Sequence, residues 1–100
     1  MKIQIREGAL GLAVAERSHV EERLTVTLAR FSERIAKVVV RLSSAESTAG
    51  PGEKKCRIEV EIRPQTVHVE DGDAKLLTAL DRATDRVGRA VARALERHHD

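Results

Sequence analysis

The sequence is poor in residues that characterise several common kinds of protein. Its 100 residues include one cysteine, Cys56, which excludes an internal disulfide and is typical of a reducing compartment. Phe31 is the sole aromatic residue, so the base-stacking route to single-stranded nucleic acid is almost closed. No apolar run approaches the ~18 residues of a membrane span, and no signal-peptide-like segment follows Lys2. We therefore expect one cytoplasmic domain, residues 1–100, with no membrane partner.

The motifs of the common enzyme classes are also missing. The chain has no P-loop, dinucleotide glycine fingerprint, HExxH, CxxC or supported Ser/His/Asp set. His98 and His99 are more typical of a solvated tail than of a metal site, and His19 and His68 are expected at the surface. Cys56 falls on the apolar phase of a strand, which predicts a buried core residue. We expect no catalysis, cofactor, metal ion or small-molecule substrate.

Residues 73–97 show the clearest pattern in the chain. At about 100° per residue, a helix would gather eight apolar residues on one side: Leu76, Leu77, Leu80, Ala83, Val87, Val91, Ala94 and Leu95. The other side would carry five arginines: Arg82, Arg86, Arg89, Arg93 and Arg97. Asp71 and Gly72 indicate a turn, and Asp73 is the predicted N-cap. Gly88, at the border of the apolar side, predicts the close approach of a second helix.

Period-two and helical patterns predict the other elements. Strands are expected over 2–6, 36–43, 55–63 and 66–70, a first helix over 14–35, and a mobile hairpin loop over 43–54. Each strand has one apolar face and each helix one apolar stripe, so both helices should cover the same side of the sheet. The predicted fold is α+β: a two-layer sandwich of order β-α-β-β-β-α, with a four-stranded sheet and two helices on one face. Its outer face should be polar, with Val39 exposed.

Charge is distributed unevenly although the net charge is only +2. Arg23, Arg30 and Arg34 lie on one flank of the first helix, and the arginine row lies on the last one. Such segregation can form a polyanion-binding face. The alternative is a solvated face with intrahelical pairs such as Asp85 with Arg89.

Two stretches resemble a known family. RSHVEERLTVTLARFSERIAKVVVRL at 17–42 and LLTALDRATDRVGRAVAR at 76–93 look like segments of the ribosome hibernation promoting factors and ribosome-associated inhibitors, or sigma modulation proteins. The CRIEVEIR and VHVED strands follow in the family's order. The resemblance implies one hibernation-factor-like domain of the short form, without the long form's dimerising domain. It also implies binding to the small ribosomal subunit and its rRNA in the mRNA and tRNA channel, blocking translation during stress or stationary phase.

The resemblance assigns RNA binding to six arginines, and the arginine row adds Arg82. The resulting set is Arg23, Arg30, Arg34, Arg82, Arg86, Arg89 and Arg93. Two alternatives remain. One is a protein interaction module that does not bind ribosomes, meeting an acidic surface or forming a weak homodimer through sheet edges and Val39. The other is general binding of double-stranded RNA, although that module usually lacks a strand like the one at 2–6.

Overall fold

The computed structural model describes residues 1–47 and 50–97, and their side chains except at 45–51. The strands are β1 (Lys2–Arg6), β2 (Lys37–Ser47), β3 (Gly50–Glu61) and β4 (Thr66–Asp73), and the helices are α1 (Val14–Leu28) and α2 (Leu76–Arg97). A 3₁₀ helix, Ala29–Arg34, follows α1. In the described ranges, no helix has the length and apolar character needed to cross a membrane. His98 and His99 lie outside the described residues.

The four strands form one mixed sheet in the order β1-β2-β3-β4. β1 runs parallel to β2, and the other neighbours are antiparallel. Alternate side chains from the sheet are buried beneath the helices: Val38, Val40, Leu42, Cys56, Ile58, Val60, Ile62 and Val69. Val20, Leu24 and Leu28 of α1 and Leu80, Val87 and Val91 of α2 complete this core. The predicted two-layer α+β sandwich is confirmed.

The β2–β3 hairpin is longer than the sequence predicts. Ser43 is paired with Lys55 and Ala45 with Glu53, and the register shifts before Ser47 pairs with Gly50. The predicted loop over 43–54 is therefore wrong, except that Thr48 and Ala49 lie outside the described residues. Small polar residues indicate a loop, but the backbone ladder between antiparallel strands needs no apolar side chains and continues through them.

β4 also continues past its predicted end at residue 70. Asp71 is paired with Cys56 and Gly72 with Lys55, so the predicted turn at these residues is wrong. Asp73 ends the strand instead of capping α2, and its carboxylate accepts a hydrogen bond of 2.8 Å from the Lys75 N–H. Because Asp71 shares the strand face of Val69, its carboxylate lies on the helix side of the sheet.

The first helix changes type before its predicted end at residue 35. It is α-helical only to Leu28 and continues as the 3₁₀ helix. The β-branched run Thr25 to Thr27 weakens the α-helix just before this change. A 3₁₀ helix has three residues per turn, so Phe31 comes into line with Leu28 and packs against the core.

Val39 lies on the outer face of the sheet but is only 5% exposed, so its predicted exposure is wrong. β2 is an inner strand, and Val39 is flanked by Gln4 of β1 and Glu59 of β3. Long polar side chains cover apolar neighbours with their methylene stems. Val39 therefore does not supply the exposed apolar contact on which the homodimer alternative partly rested.

Candidate nucleic-acid interface

The two helices approach each other closely at Gly88. A Cβ atom at this position would lie 2.6 Å from Cγ2 of Thr27, closer than van der Waals contact allows. Gly88 is buried, and it lies between the core residues Val87 and Val91 and the arginines of α2. The predicted close approach of a second helix is confirmed, and it brings the arginines of α1 and α2 to one surface.

A histidine–carboxylate contact and an arginine–carboxylate ion pair link the helices on this surface. His19 Nε2 lies 3.3 Å from Asp81 Oδ1, and Arg23 donates to Asp85 Oδ1 at 2.9 Å. Both pairs are substantially exposed, so each stabilises the protein by at most about 1 kcal/mol. Asp85 thus pairs with Arg23 across the helices, in place of the intrahelical pair with Arg89 considered from the sequence.

Arg82 and Arg86 are held by the end of β4. Arg82 donates from Nη2 to Asp71 Oδ1 at 3.0 Å and to the Gly72 carbonyl at 2.8 Å. Arg86 donates to the Glu70 carbonyl at 2.7 Å and lies 3.4 Å from Asp71 Oδ2. These contacts engage Nε and Nη2 of Arg82 but only Nη1 of Arg86, and they restrain the orientation of both guanidinium groups.

The same contacts lower the pKa of Asp71, the acid that Arg82 and Arg86 share. Partial burial raises the pKa of Asp71, but hydrogen bonds from Arg82 and from the Gly72 N–H outweigh this effect, and the pKa lies below its usual value. The hydrogen bond to Asp71 likewise raises the pKa of Arg82. Asp71 therefore stays ionised at neutral pH and neutralises part of the arginine row.

Arg30, Arg89 and Arg93 surround an open cleft between the helices. Its volume is about 470 Å³, and Thr27, Asp85, Gly88 and Ala92 complete its lining. Arg34 borders a second depression of about 260 Å³, which shares Arg30 and Ala92 with the first and is completed by Phe31, Leu95 and Glu96. We call these the arginine cleft and the Phe31 depression.

The structure divides the seven predicted arginines into two groups. Arg23, Arg82 and Arg86 are bonded to acidic or carbonyl groups. For Arg30, Arg34, Arg89 and Arg93, no ion pair with a carboxylate occurs among the side chains that the structure describes. All four are exposed, so their donors face solvent and can reach a ligand.

Sequence reasoning missed the acidic partners and Phe31. Asp71 and Asp73 were read as turn and cap residues, although the acidic run VEDGD directly before an arginine-bearing helix is a signal for ion pairs. The sequence places Phe31 in the apolar stripe of the first helix and, as the sole aromatic residue, gives it no binding role. In the structure, the guanidinium carbon of Arg30 lies over its ring, 4.5 Å from the centroid.

Comparison with known proteins gives consistent results. Residues 3–99 match the family model described as "Sigma 54 modulation protein / S30EA ribosomal protein". A ribosomal subunit interface protein from Coxiella burnetii shares the fold, with a TM-score of 0.77, 13% identity and coverage of 96% of this chain and 99% of that one. The N-terminal domain of Protein Y from Thermus thermophilus has a TM-score of 0.65 and 27% identity, with coverage of 93% and 98% respectively. No protein of curated function matches significantly in sequence. The chain belongs to the sigma 54 modulation protein / S30EA ribosomal protein family.

Proposed function

We propose that this protein is a ribosome-binding translation inhibitor acting in the cytoplasm. It binds the small subunit, contacts rRNA through the arginine cleft, and occludes the channel used by mRNA and tRNA during stress or stationary phase. The observation that carries this proposal is the group of Arg30, Arg34, Arg89 and Arg93, exposed side by side without a described carboxylate partner. Family membership and the similarity to a ribosomal subunit interface protein support it.

The chemistry of arginine suits this task. Its guanidinium group is planar, stays charged near neutral pH and can donate two parallel hydrogen bonds to a phosphate. Folded RNA is recognised largely through its shape and its phosphates and sugars. Inhibition by occlusion requires only binding in the channel, so no catalytic step is part of the proposal.

The bonded arginines have a supporting role in this proposal. Arg82 and Arg86 are held against β4, and Arg23 is held by Asp85, so a carboxylate already neutralises part of each guanidinium charge and weakens its attraction to phosphate. Asp85 also places a negative charge in the arginine cleft. We therefore assign the main phosphate contacts to Arg89 and Arg93, with Arg30 and Arg34 beside them.

The test is cosedimentation of the purified protein with small ribosomal subunits at a series of salt concentrations. We compare wild type with the double variant Arg89→Ala/Arg93→Ala. A matched control, Arg6→Ala/Lys55→Ala, removes the same charge from exposed positions on strands β1 and β3 of the opposite face. Binding should be lost in the first variant and retained in the control. Where affinity remains measurable, the slope of log affinity against log salt should decrease in magnitude by about 1.5 for two lost phosphate contacts.

Three results would contradict the proposal. Absence of cosedimentation even at low salt would favour a protein interaction module. Equal binding of an arbitrary RNA duplex would favour general duplex recognition. Unchanged cosedimentation of the Arg89→Ala/Arg93→Ala variant would place the interface elsewhere on the molecule.

A further inference from the structure

The Arg30–Phe31 pair places a guanidinium group over the one aromatic ring of the sequence. Phe31 is half-buried and packs against the core, and the Arg30 guanidinium carbon lies over its ring, 4.5 Å from the ring centroid. A cation over an aromatic face is attracted by the electron density of the ring. The contact favours a position of the exposed Arg30 guanidinium group over the ring.

This pair stands at the boundary between the arginine cleft and the Phe31 depression. Arg30 and Ala92 line both. The arginine cleft is bordered by Arg89 and Arg93, which suit phosphate. The Phe31 depression differs because apolar groups of Phe31 and Leu95 line it.

The composition of the Phe31 depression favours a base over a phosphate. The Glu96 carboxylate on its rim repels phosphate but can accept a hydrogen bond from the exocyclic amino group of a base. Pockets for drug-sized ligands measure about 300–1,000 Å³, and the depression, at about 260 Å³, suits a smaller group such as one nucleobase. Unpaired bases in RNA stack on aromatic rings and on guanidinium planes.

We propose that the Arg30–Phe31 pair receives one unpaired base of an RNA strand whose phosphates lie on Arg89 and Arg93. This inference rests on the proposed RNA-binding function. It adds that the RNA bound at this point is not a continuous duplex but a single strand, a loop or a bulge. A continuous duplex does not satisfy the site, because its bases are already stacked and paired.

A fluorescence experiment tests stacking directly. The chain contains neither tryptophan nor tyrosine, so emission from a Phe31→Trp variant reports this position alone. The probes are a single-stranded oligoadenylate of about 12 nucleotides and an RNA duplex of equal length, with binding followed separately by anisotropy of labelled RNA. Saturable quenching by the bound single strand, with little quenching by the bound duplex, is expected. Equal quenching by both, no quenching by a bound single strand, or no binding of the single strand at low salt would overturn the proposal.

A second test uses conservative variants, which retain the charge of Arg30 or the apolar character of Phe31. Phe31→Leu and Arg30→Lys should each weaken single-strand binding about tenfold, the scale of one lost stacking contact. Because no charge is removed, the salt dependence should stay unchanged. Arg97→Lys is the matched control, since Arg97 lies on α2 but lines neither depression, and we expect no change in affinity. Thermal melts establish that each variant is folded.

The outcomes separate this inference from the proposed function. If Arg89→Ala/Arg93→Ala abolishes ribosome cosedimentation while Phe31→Leu and Arg30→Lys leave RNA binding unchanged, the stacking proposal is wrong and ribosome binding stands. If wild type fails to cosediment but the oligoadenylate quenches the Phe31→Trp variant, the stacking site stands and the ribosomal function is wrong.

Discussion

The contact between Gly88 and Thr27 leads to a quantitative prediction about the joint between the helices. Replacing glycine by alanine inside a helix normally gains about 1 kcal/mol of stability. Here the new methyl group would meet Thr27 Cγ2 at 2.6 Å, and overpacking of this kind costs about 1–3 kcal/mol. The clash outweighs the gain, so we expect Gly88→Ala to lower the free energy of unfolding by about 1 kcal/mol.

A double-mutant cycle isolates the clash from the helix propensity. Thr27→Ser removes Cγ2 and retains the hydroxyl, so Gly88→Ala in that background should regain the full benefit of about 1 kcal/mol. The two effects of Gly88→Ala then differ by about 2 kcal/mol, the coupling energy of the contact. At about 4–8 °C per kcal/mol for a small domain, this coupling is readily measured by thermal or urea unfolding.

One result of the double-mutant cycle would contradict a close contact between Gly88 and Thr27. If Gly88→Ala stabilises both backgrounds equally, the helices are not in close contact at this position. The same variant also tests the interface, because moving α1 away from α2 would separate Arg30 from Arg89. Gly88→Ala should therefore weaken RNA binding in the Thr27 background and restore it in the Thr27→Ser background.

Two further predictions concern titratable groups. Because the folded pKa of Asp71 is lowered, its stabilising effect is fully present above its unfolded pKa of about 3.9 and is lost as pH falls through the folded pKa. Asp71→Asn should therefore cost about 1 kcal/mol in urea unfolding at pH 7 and much less in acid near pH 3; an equal cost at both pH values would contradict this. Burial, aided by the Asp71 charge, raises the pKa of Cys56 to about 12, so a thiol reagent at about pH 8 should react only when the protein unfolds, in contrast to a free thiol. Rapid labelling of Cys56 without denaturant would show that the sheet opens locally.

The core was predictable because periodicity depends only on local geometry. Cys56, Ile58, Val60 and Ile62 alternate with charged residues and are all buried, as the period of a strand requires. The limits of elements were less predictable. β4 continues through Asp71 because β3 offers backbone partners there, and no property of the VEDGD segment alone reveals that pairing.

For the candidate site too, some features could be predicted from the sequence and others could not. A helical wheel places the five arginines of α2 on one side, and this needs no knowledge of the rest of the fold. Which of these arginines can bind a ligand depends on residues outside the helix. Asp71 of β4, which does not appear on the helical wheel, pairs with Arg82 and contacts Arg86. The role proposed for Phe31 likewise depends on the structure of the 3₁₀ helix, where the Arg30 guanidinium group lies over the Phe31 ring.

The sequence by itself determined the α+β order, the buried faces and the concentration of arginine on two helices, because these follow from the fixed periods of the helix and the strand. Only the tertiary structure decided which arginines are bonded to acids, where the helices touch, and how the arginine cleft adjoins the Phe31 depression. Ion pairs and clefts are made by atoms far apart in the chain, at distances of a few ångströms set by packing, and local periodicity contains no information about those distances.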